Sequence, residues 1–286
     1  MRNATHKKLI ALAAILYSSL FIAYAYKKLH IWRIEQSLTE LEATQHTTIP
    51  KTIHLTYYDK KKVPQYVFDN LASKAPGYTI KFYDDTACEQ ELASINPLLA
   101  EKFNSLILGA HKADLFRYAI LYKYGGVYLD IKTDLLTNLD EIIDHTKEKT
   151  LYTVLMTGRP YEQPESFLKR KIRMHYDMSN GKIYQGFIAS YPNNSIFIDL
   201  ILHFYQKDLP HTNYSFSLNR FYDLLRAQTK HPLDEGEHIT EHQNIILFSE
   251  KAKQFSHELP DRYGHYYKVF QQEQILFRTR YPSFPW

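Results

Sequence analysis

Residues 113–133 read ADLFRYAILYKYGGVYLDIKT, and this stretch decides the fold class. The segment 110–124 consists mainly of good helix formers, and Gly125-Gly126 follows, where a left-handed helix C-terminus costs glycine least. VYLDI then has the pattern of a short buried strand. Because ligands gather at the carboxyl ends of strands in open α/β sheets, we expect Asp130 and the residues after it to face a site.

Strands and helices alternate on both sides of this stretch. TIHLTYY and YTIKFYDD precede it as β-branched and aromatic strands, and we expect Asp85 to cap a helix that ends near Ile95. LYTVLM, QGFIASY and NIILFS follow as strands, with amphipathic helices over NSIFIDLILHFYQ and SLNRFYDLLRAQ. This alternation predicts one α/β domain with a mainly parallel sheet.

Composition limits the class of protein. Hydrophobic residues make up 44% and charged residues 23% of the 286 positions, which is close to a globular average. Residues 1–50 hold six Lys or Arg against three Glu, so that +3 of the net charge of +4 lies there. The remainder lacks the basic patch that a nucleic-acid partner requires, and we exclude that class. Cys88 is the single cysteine, so no internal disulfide forms.

The N-terminal residues have the pattern of a membrane anchor. Residues 9–26 are uncharged and lie between two Lys pairs, at the short end of what spans a bilayer. We predict a cytoplasmic tail at 1–8, a transmembrane anchor at 9–26 and a lumenal body, although Ala23-Tyr24-Ala25 leaves a cleaved signal peptide open. Residues 27–48 place apolar side chains at helical spacing, which predicts a helical stem through which a homodimer could form.

Charged side chains cluster around the end of the VYLDI strand. Asp114 and Arg117 are three residues apart and share one helix face, although a surface ion pair would give the same spacing. Asp130 and Asp134 are placed where carboxylates could hold a metal ion, whereas Asp134 could equally be a turn residue.

The stretch 113–133, with IPKTIHLTYY and PGYTIKFYDD before it, resembles glycosyltransferase family 32, whose members carry a D-x-D sugar-binding region. Fungal initiating mannosyltransferases and animal α-1,4-galactosyltransferases are related proteins. The resemblance covers residues 49 to about 140. It implies a Rossmann-like GT-A catalytic domain at 49–286, a single-pass type II protein of the Golgi membrane, and Mn²⁺. It also implies transfer of a hexose or N-acetylhexosamine from a nucleotide sugar to a glycan, glycolipid or glycoprotein acceptor, with retention of configuration.

The same resemblance implies roles for individual residues. Asp114 and Arg117 would bind hydroxyls of the donor sugar, and Tyr128 and Asp130 would line the pocket for the sugar and the diphosphate. Tyr57 would stack on the nucleobase, and Gln185 would face the reacting sugar. Ser283 and Trp286 resemble a C-terminal Ser-x-Trp element that closes over the diphosphate, although the spacing here is one residue longer.

Lys132 stands where the family has its second acidic residue, so the usual direct metal ligand is missing. Either Asp134 joins Asp130 as a metal ligand, or the Lys132 ammonium offsets phosphate charge in place of the cation. A third interpretation is a catalytically impaired protein that binds a glycan. The segment from Asp130 to Thr133 also resembles the first motif of haloacid-dehalogenase phosphatases, with Asp130 as nucleophile, but the helix and Gly-Gly before it argue against that class.

Overall fold

The computed structural model of the protein describes residues 2–40, 46–156, 181–206, 216–229, 231–252 and 267–281. Its helices are α1 (Arg2–Glu40), α2 (Gln65–Lys74), α3 (Asp85–Ile95), α4 (Pro97–Ser105), α5 (Gly109–Tyr124), α6 (Leu139–Ile142), α7 (Ile196–Gln206) and α8 (Phe216–Thr229). Its strands are β1 (Thr52–Thr56), β2 (Thr79–Tyr83), β3 (Gly126–Leu129), β4 (Asp134–Leu135), β5 (Thr150–Met156), β6 (Lys182–Ser190), β7 (Gly236–Ile239), β8 (Asn244–Ala252), β9 (Tyr267–Gln271) and β10 (Gln274–Arg278).

The strands form a mixed sheet in the order β2-β1-β3-β6-β5-β8-β9-β10-β4, and β7 pairs with β8. β1 is parallel to β2 and β3, and β5 is parallel to β8. β6 lies between β3 and β5 and is antiparallel to both. The α/β class is therefore confirmed, but the predicted mainly parallel sheet is wrong. One reason is local, since only Gln272 and Glu273 join β9 to β10, and so short a connection requires antiparallel pairing.

Two apolar clusters cover the two faces of the sheet. Successive residues of β3 alternate between them, with Val127 and Leu129 in one cluster and Tyr128 in the other. The cluster around Tyr128 packs α3, α4, α5 and α7 against the sheet, and the other cluster packs α2 and α6. The helix α3 begins one residue before the predicted position, because Asp84 rather than Asp85 is its cap and accepts a hydrogen bond from the Ala87 amide at 2.8 Å.

The predicted turn between α5 and β3 is confirmed. Gly125 and Gly126 have φ angles of 62° and 95°, which glycine adopts most readily. A Cβ atom on Gly125 would lie 2.6 Å from the Pro192 nitrogen, and one on Gly126 would lie 2.6 Å from the Thr52 carbonyl oxygen. Both positions therefore require glycine, and the tight turn places β3 directly beside β1.

A single helix, α1, continues through the predicted tail and anchor and into the predicted stem. Ile34 and Leu38 are fully buried in the same cluster as α4 and α7. The Tyr122 hydroxyl donates a hydrogen bond to the Leu38 carbonyl at 2.8 Å, and Asn96 Nδ2 donates to Ser37 Oγ at 2.7 Å. The apolar stripe predicted to form a separate, dimerising stem is instead packed against the body of its own chain.

Among the residues that the structure describes, no helix has both the length and the apolar character needed to cross a bilayer. The membrane span predicted at residues 9–26 is therefore not confirmed. No side chain before Ile15 is described. The type II orientation and the Golgi location stay predictions.

Candidate functional site

Three neighbouring strands bring the predicted site residues to one edge of the sheet. β1 and β3 are parallel, with Ile53 opposite Val127, so their carboxyl ends lie side by side. Tyr57 follows β1 and Asp130 follows β3. On the other side of β3, the Asp130 amide donates a hydrogen bond at 2.9 Å to the carbonyl of Gly186 in the antiparallel strand β6. This pairing fixes the middle of β6 beside Asp130.

Arg117 is the centre of the cluster. Its Nη2 atom lies 3.3 Å from Asp114 Oδ1 and 3.5 Å from Asp130 Oδ1, so one guanidinium bridges two carboxylates. Its Nη1 atom donates a hydrogen bond at 2.6 Å to the Gln185 carbonyl. Asp114 and Arg117 are each only 5% exposed, which excludes the surface ion pair that the sequence left open. The tertiary fold brings together α5, the end of β3 and the middle of β6.

The two carboxylates of this cluster differ electrostatically. Burial raises the pKa of Asp114, although Arg117 and a hydrogen bond from Ser217 Oγ oppose that shift. Burial also disfavours ionised Asp130, but Arg117, Lys132 and a hydrogen bond from Tyr128 together more than offset it and hold its pKa below the usual value. Asp130 is thus the firmly ionised member of the pair, and Asp114 has the greater affinity for a proton.

The ring of Tyr128 supports the Arg117 guanidinium. Its side chain is 1% exposed, and the Arg117 carbon Cζ lies 4.5 Å from the centre of its ring. Contact between a guanidinium and an aromatic face is attractive and limits the positions that the guanidinium can take. Tyr128 therefore positions Arg117, and its predicted role in lining the donor pocket stays a prediction.

Gln185 is buried to 3% exposure at the end of the same cluster. Its side-chain amide lies beside the Tyr118 hydroxyl, yet neither group has a partner at hydrogen-bond geometry among the described residues. A buried polar group without a partner costs about 1–3 kcal/mol. The Gln185 amide therefore has unused hydrogen-bonding capacity inside the cluster, and its predicted role facing the donor sugar stays a prediction.

The other predicted contacts are separate from this cluster. Tyr57 is half-buried beyond β1, and its ring centre lies 4.5 Å from that of the exposed Tyr58. Part of the Tyr57 ring is therefore open to a planar ligand. Ser283 and Trp286 lie outside the described residues.

Sequence reasoning missed Gly186 as a site residue. A Cβ atom there would clash with the Tyr184 hydroxyl and lie 2.9 Å from Asp130 Oδ2. Glycine therefore lets the phenol and the carboxylate approach the same point of the strand. The available signal was a glycine in the interior of a predicted strand, which often marks a close approach of this kind.

Residues 61–149 match the family described as "Glycosyltransferase sugar-binding region containing DXD motif". This segment contains α5 and β3, and with them Asp114, Arg117 and Asp130 of the cluster. The cluster residues in β6 and α8 lie outside it. The chain is similar to the family 32 glycosyltransferases. The resemblance predicted from the sequence is thereby confirmed.

Fungal enzymes are among the relatives. The chain is 29% identical over 108 residues to "Inositol phosphoceramide mannosyltransferase 3" of Schizosaccharomyces pombe, covering 37% of this chain and 30% of the relative. It is 33% identical over 107 residues to "Initiation-specific alpha-1,6-mannosyltransferase" of Candida albicans, covering 34% of this chain and 28% of the relative. The chain thus matches less than a third of the length of these curated relatives. Among solved structures, "PaToxG Glycosyltransferase" aligns with a TM-score of 0.37 and 14% identity, over 73% of this chain and 81% of that one.

The D-x-D pattern of the family 32 glycosyltransferases is Asp130-Ile131-Lys132 in this chain, and the structure shows what surrounds it. Lys132 Nζ lies 3.6 Å from Asp130 Oδ2. Asp134 does not turn toward this pair, because its Oδ2 accepts a hydrogen bond from Arg278 at 2.9 Å and its Oδ1 accepts one from Asn70 at 3.3 Å. It also lies in β4 rather than in a turn. Asp134 therefore connects β4 to β10 and α2.

A manganese ion needs several oxygen or nitrogen ligands around one point. Within the described residues, no group of three or more His, Cys, Asp or Glu side chains is arranged to hold a metal. Asp130 already has a cation beside each oxygen, Arg117 at Oδ1 and Lys132 at Oδ2. This donor set does not fit a protein-held manganese ion, and the predicted metal ligation by Asp130 and Asp134 is not supported.

Proposed function

We propose that this protein is a glycosyltransferase of the GT-A type. It transfers a hexose or N-acetylhexosamine from a nucleotide sugar to a glycan, glycolipid or glycoprotein acceptor, with retention of configuration. The observation that carries the proposal is the Arg117 guanidinium, which bridges the buried carboxylates of Asp114 and Asp130. Carboxylates fixed by a guanidinium are suited to accept hydrogen bonds from several sugar hydroxyls, and the match of residues 61–149 supports the same function.

The surroundings of this cluster match the parts of a nucleotide sugar. The unpartnered amide of Gln185 offers both a donor and an acceptor to a sugar hydroxyl. Tyr57, at the end of the neighbouring strand, offers a partly open ring to the nucleobase. The diphosphate between them would then pass the Lys132 ammonium, whose side chain is 31% exposed.

The proposed retention of configuration corresponds to attack on the face that the diphosphate leaves. The acceptor hydroxyl oxygen bonds to the anomeric carbon as the bond from that carbon to the β-phosphate oxygen breaks. The electron pair stays on the phosphate oxygen, and the hydroxyl proton passes to a leaving phosphate oxygen. The protein's part is to hold the sugar in a fixed position relative to the acceptor and to stabilise the charge that grows on the diphosphate.

The test is release of free nucleotide by the full chain with UDP-galactose, UDP-glucose, UDP-N-acetylglucosamine and GDP-mannose. The full chain is needed because Ile34 and Leu38 belong to the core. GDP-mannose comes first because the two fungal relatives are named mannosyltransferases. NMR of the product reports whether configuration is retained, and inversion would require a dedicated base that the proposal does not include.

Asp130→Asn should lower turnover by about 100-fold or more, since it removes a preorganised charge from the site. The matched control is Asp69→Asn, an exposed change on α2 that should leave turnover unchanged. Near-normal transfer by Asp130→Asn would show that the site is assigned wrongly. Intact donor binding without turnover of any sugar would favour the catalytically impaired glycan-binding protein instead.

A further inference from the structure

We propose that the Lys132 ammonium occupies the place of the divalent cation at the donor diphosphate, so that this glycosyltransferase binds its donor without a metal. The inference rests on the proposed function and adds the means by which the leaving group is neutralised. Its starting point is that Lys132 Nζ lies 3.6 Å from Asp130 Oδ2, on the side of that carboxylate away from Arg117.

The backbone holds Lys132 in one place. The Thr133 amide donates a hydrogen bond to the Asp130 carbonyl at 2.8 Å, which closes a tight turn around residues 131 and 132. The Tyr281 amide donates to the Lys132 carbonyl at 2.9 Å, and Thr133 Oγ1 donates to the Gly186 carbonyl at 3.2 Å. The backbone of Lys132 therefore lies in a turn that is hydrogen-bonded to both β6 and the segment after β10.

The charges around the ammonium also favour a built-in cation. Glu250, near the end of β8, is 4% exposed and close enough for Lys132 to counteract the rise that burial causes in its pKa. Burial still raises the pKa of Glu250 to about 7, so Asp130 is the firmly ionised carboxylate beside Lys132. About a third of its side chain is still exposed. An ammonium has three N–H donors, so the contact with Asp130 leaves donors for phosphate oxygens.

A divalent ion bound at Asp130 Oδ2 would lie next to the Lys132 ammonium, and the two positive charges would repel each other. The substitute ligand that the sequence suggested, Asp134, is held by Arg278 and Asn70. Lysine is a common phosphate ligand in proteins and acts there as a compact charge. The geometry thus favours Lys132, rather than a metal ion held by Asp134, as the group that offsets the charge of the diphosphate.

The experiment measures binding of GDP and UDP to the full chain by calorimetry, once with EDTA and once with Mn²⁺. We expect the wild-type protein to bind one nucleoside diphosphate equally well under both conditions. Lys132→Met should weaken that binding by about 10- to 100-fold under both, the usual range for one hydrogen bond to a charged group. Lys132→Arg, which keeps the charge, should retain most of the affinity.

Lys132→Asp provides the reciprocal test, because it places a second carboxylate two residues after Asp130. This variant should bind weakly in EDTA and recover when Mn²⁺ is added. The matched control is Lys147→Met. Lys147 lies just before β5, at the opposite edge of the sheet, and pairs with Glu237. This variant should bind the nucleotides as the wild-type protein does. Thermal unfolding of each variant separates loss of binding from loss of fold.

The outcomes distinguish this inference from the proposed function. Sugar transfer that depends on Mn²⁺ in the wild-type protein would overturn the inference and leave the transferase standing. Metal-independent binding that Lys132→Met weakens, without transfer of any sugar, would support the inference and contradict the transferase. Equal binding by the wild-type protein and Lys132→Met, or no binding of either nucleotide, would refute the role of Lys132.

Discussion

Protonation of His54 should destabilise the strand that leads to Tyr57. His54 lies in β1 with no exposed surface, its Nε2 3.0 Å from the Gly125 carbonyl and its Nδ1 3.2 Å from the Tyr83 hydroxyl. Because a carbonyl only accepts, Nε2 carries the hydrogen and Nδ1 accepts from Tyr83. Burial lowers the pKa of His54 from 6.5 to about 4, so the ring is neutral in the folded protein.

The sign and size of the effect follow from this shift. Above pH 6.5 the ring is neutral in both the folded and the unfolded chain, and its contribution to stability is fully present. As the pH falls from 6.5 toward 4, the unfolded chain takes up a proton that the folded protein does not, and stability is lost. Between pH 7.5 and pH 5.0 the loss is about 2 kcal/mol, from linkage between these two pKa values.

The assay is urea unfolding of the wild-type protein and of His54→Gln at pH 7.5 and pH 5.0. Carboxylates also titrate in acid, so the readout is the difference between the two proteins in their loss of unfolding free energy. The His54→Gln variant is expected to lose about 2 kcal/mol less than wild type. His242→Gln, at an exposed site, should behave as wild type. Equal pH dependence in wild type and His54→Gln would refute the neutral, buried assignment.

Two further changes test the site and the packing of α1. Gly186→Ala should lower sugar transfer by about 10-fold or more, because the new methyl group displaces the Tyr184 hydroxyl and the Asp130 carboxylate. The control is Gly109→Ala, whose Cβ meets open space. Equal activity of the two variants would contradict the close approach at Gly186. Leu38→Ala should lower the free energy of unfolding, measured by urea titration, by about 2–5 kcal/mol, because Leu38 is fully buried. The control is Leu20→Ala at an exposed position, which should cost less than about 0.5 kcal/mol. Equal small losses in both variants would mean that α1 does not pack as described.

The site was partly predictable because some of its parts are local in the sequence. Asp114 and Arg117 share a face of α5 through helical spacing alone, and Gly125-Gly126 ends that helix because of its φ angles. Asp130 follows the strand that the β-branched and aromatic pattern indicates. The strands β4, β7, β9 and β10 were not predicted, and β4, with two residues, is too short to show any periodicity.

Sequence by itself determined the α/β class, the segment from α5 to β3, and the resemblance of that segment to family 32 glycosyltransferases. Only the tertiary structure decided that Arg117 bridges Asp114 and Asp130, that Asp134 turns to Arg278, and that Lys132 lies beside Asp130. It also decided that Ile34 and Leu38 of α1 belong to the core. The physical reason is that helical spacing and turn chemistry act within a few residues. Contacts such as that of Arg117 with Gln185, 68 positions apart, depend on the register and direction of β6 in the sheet.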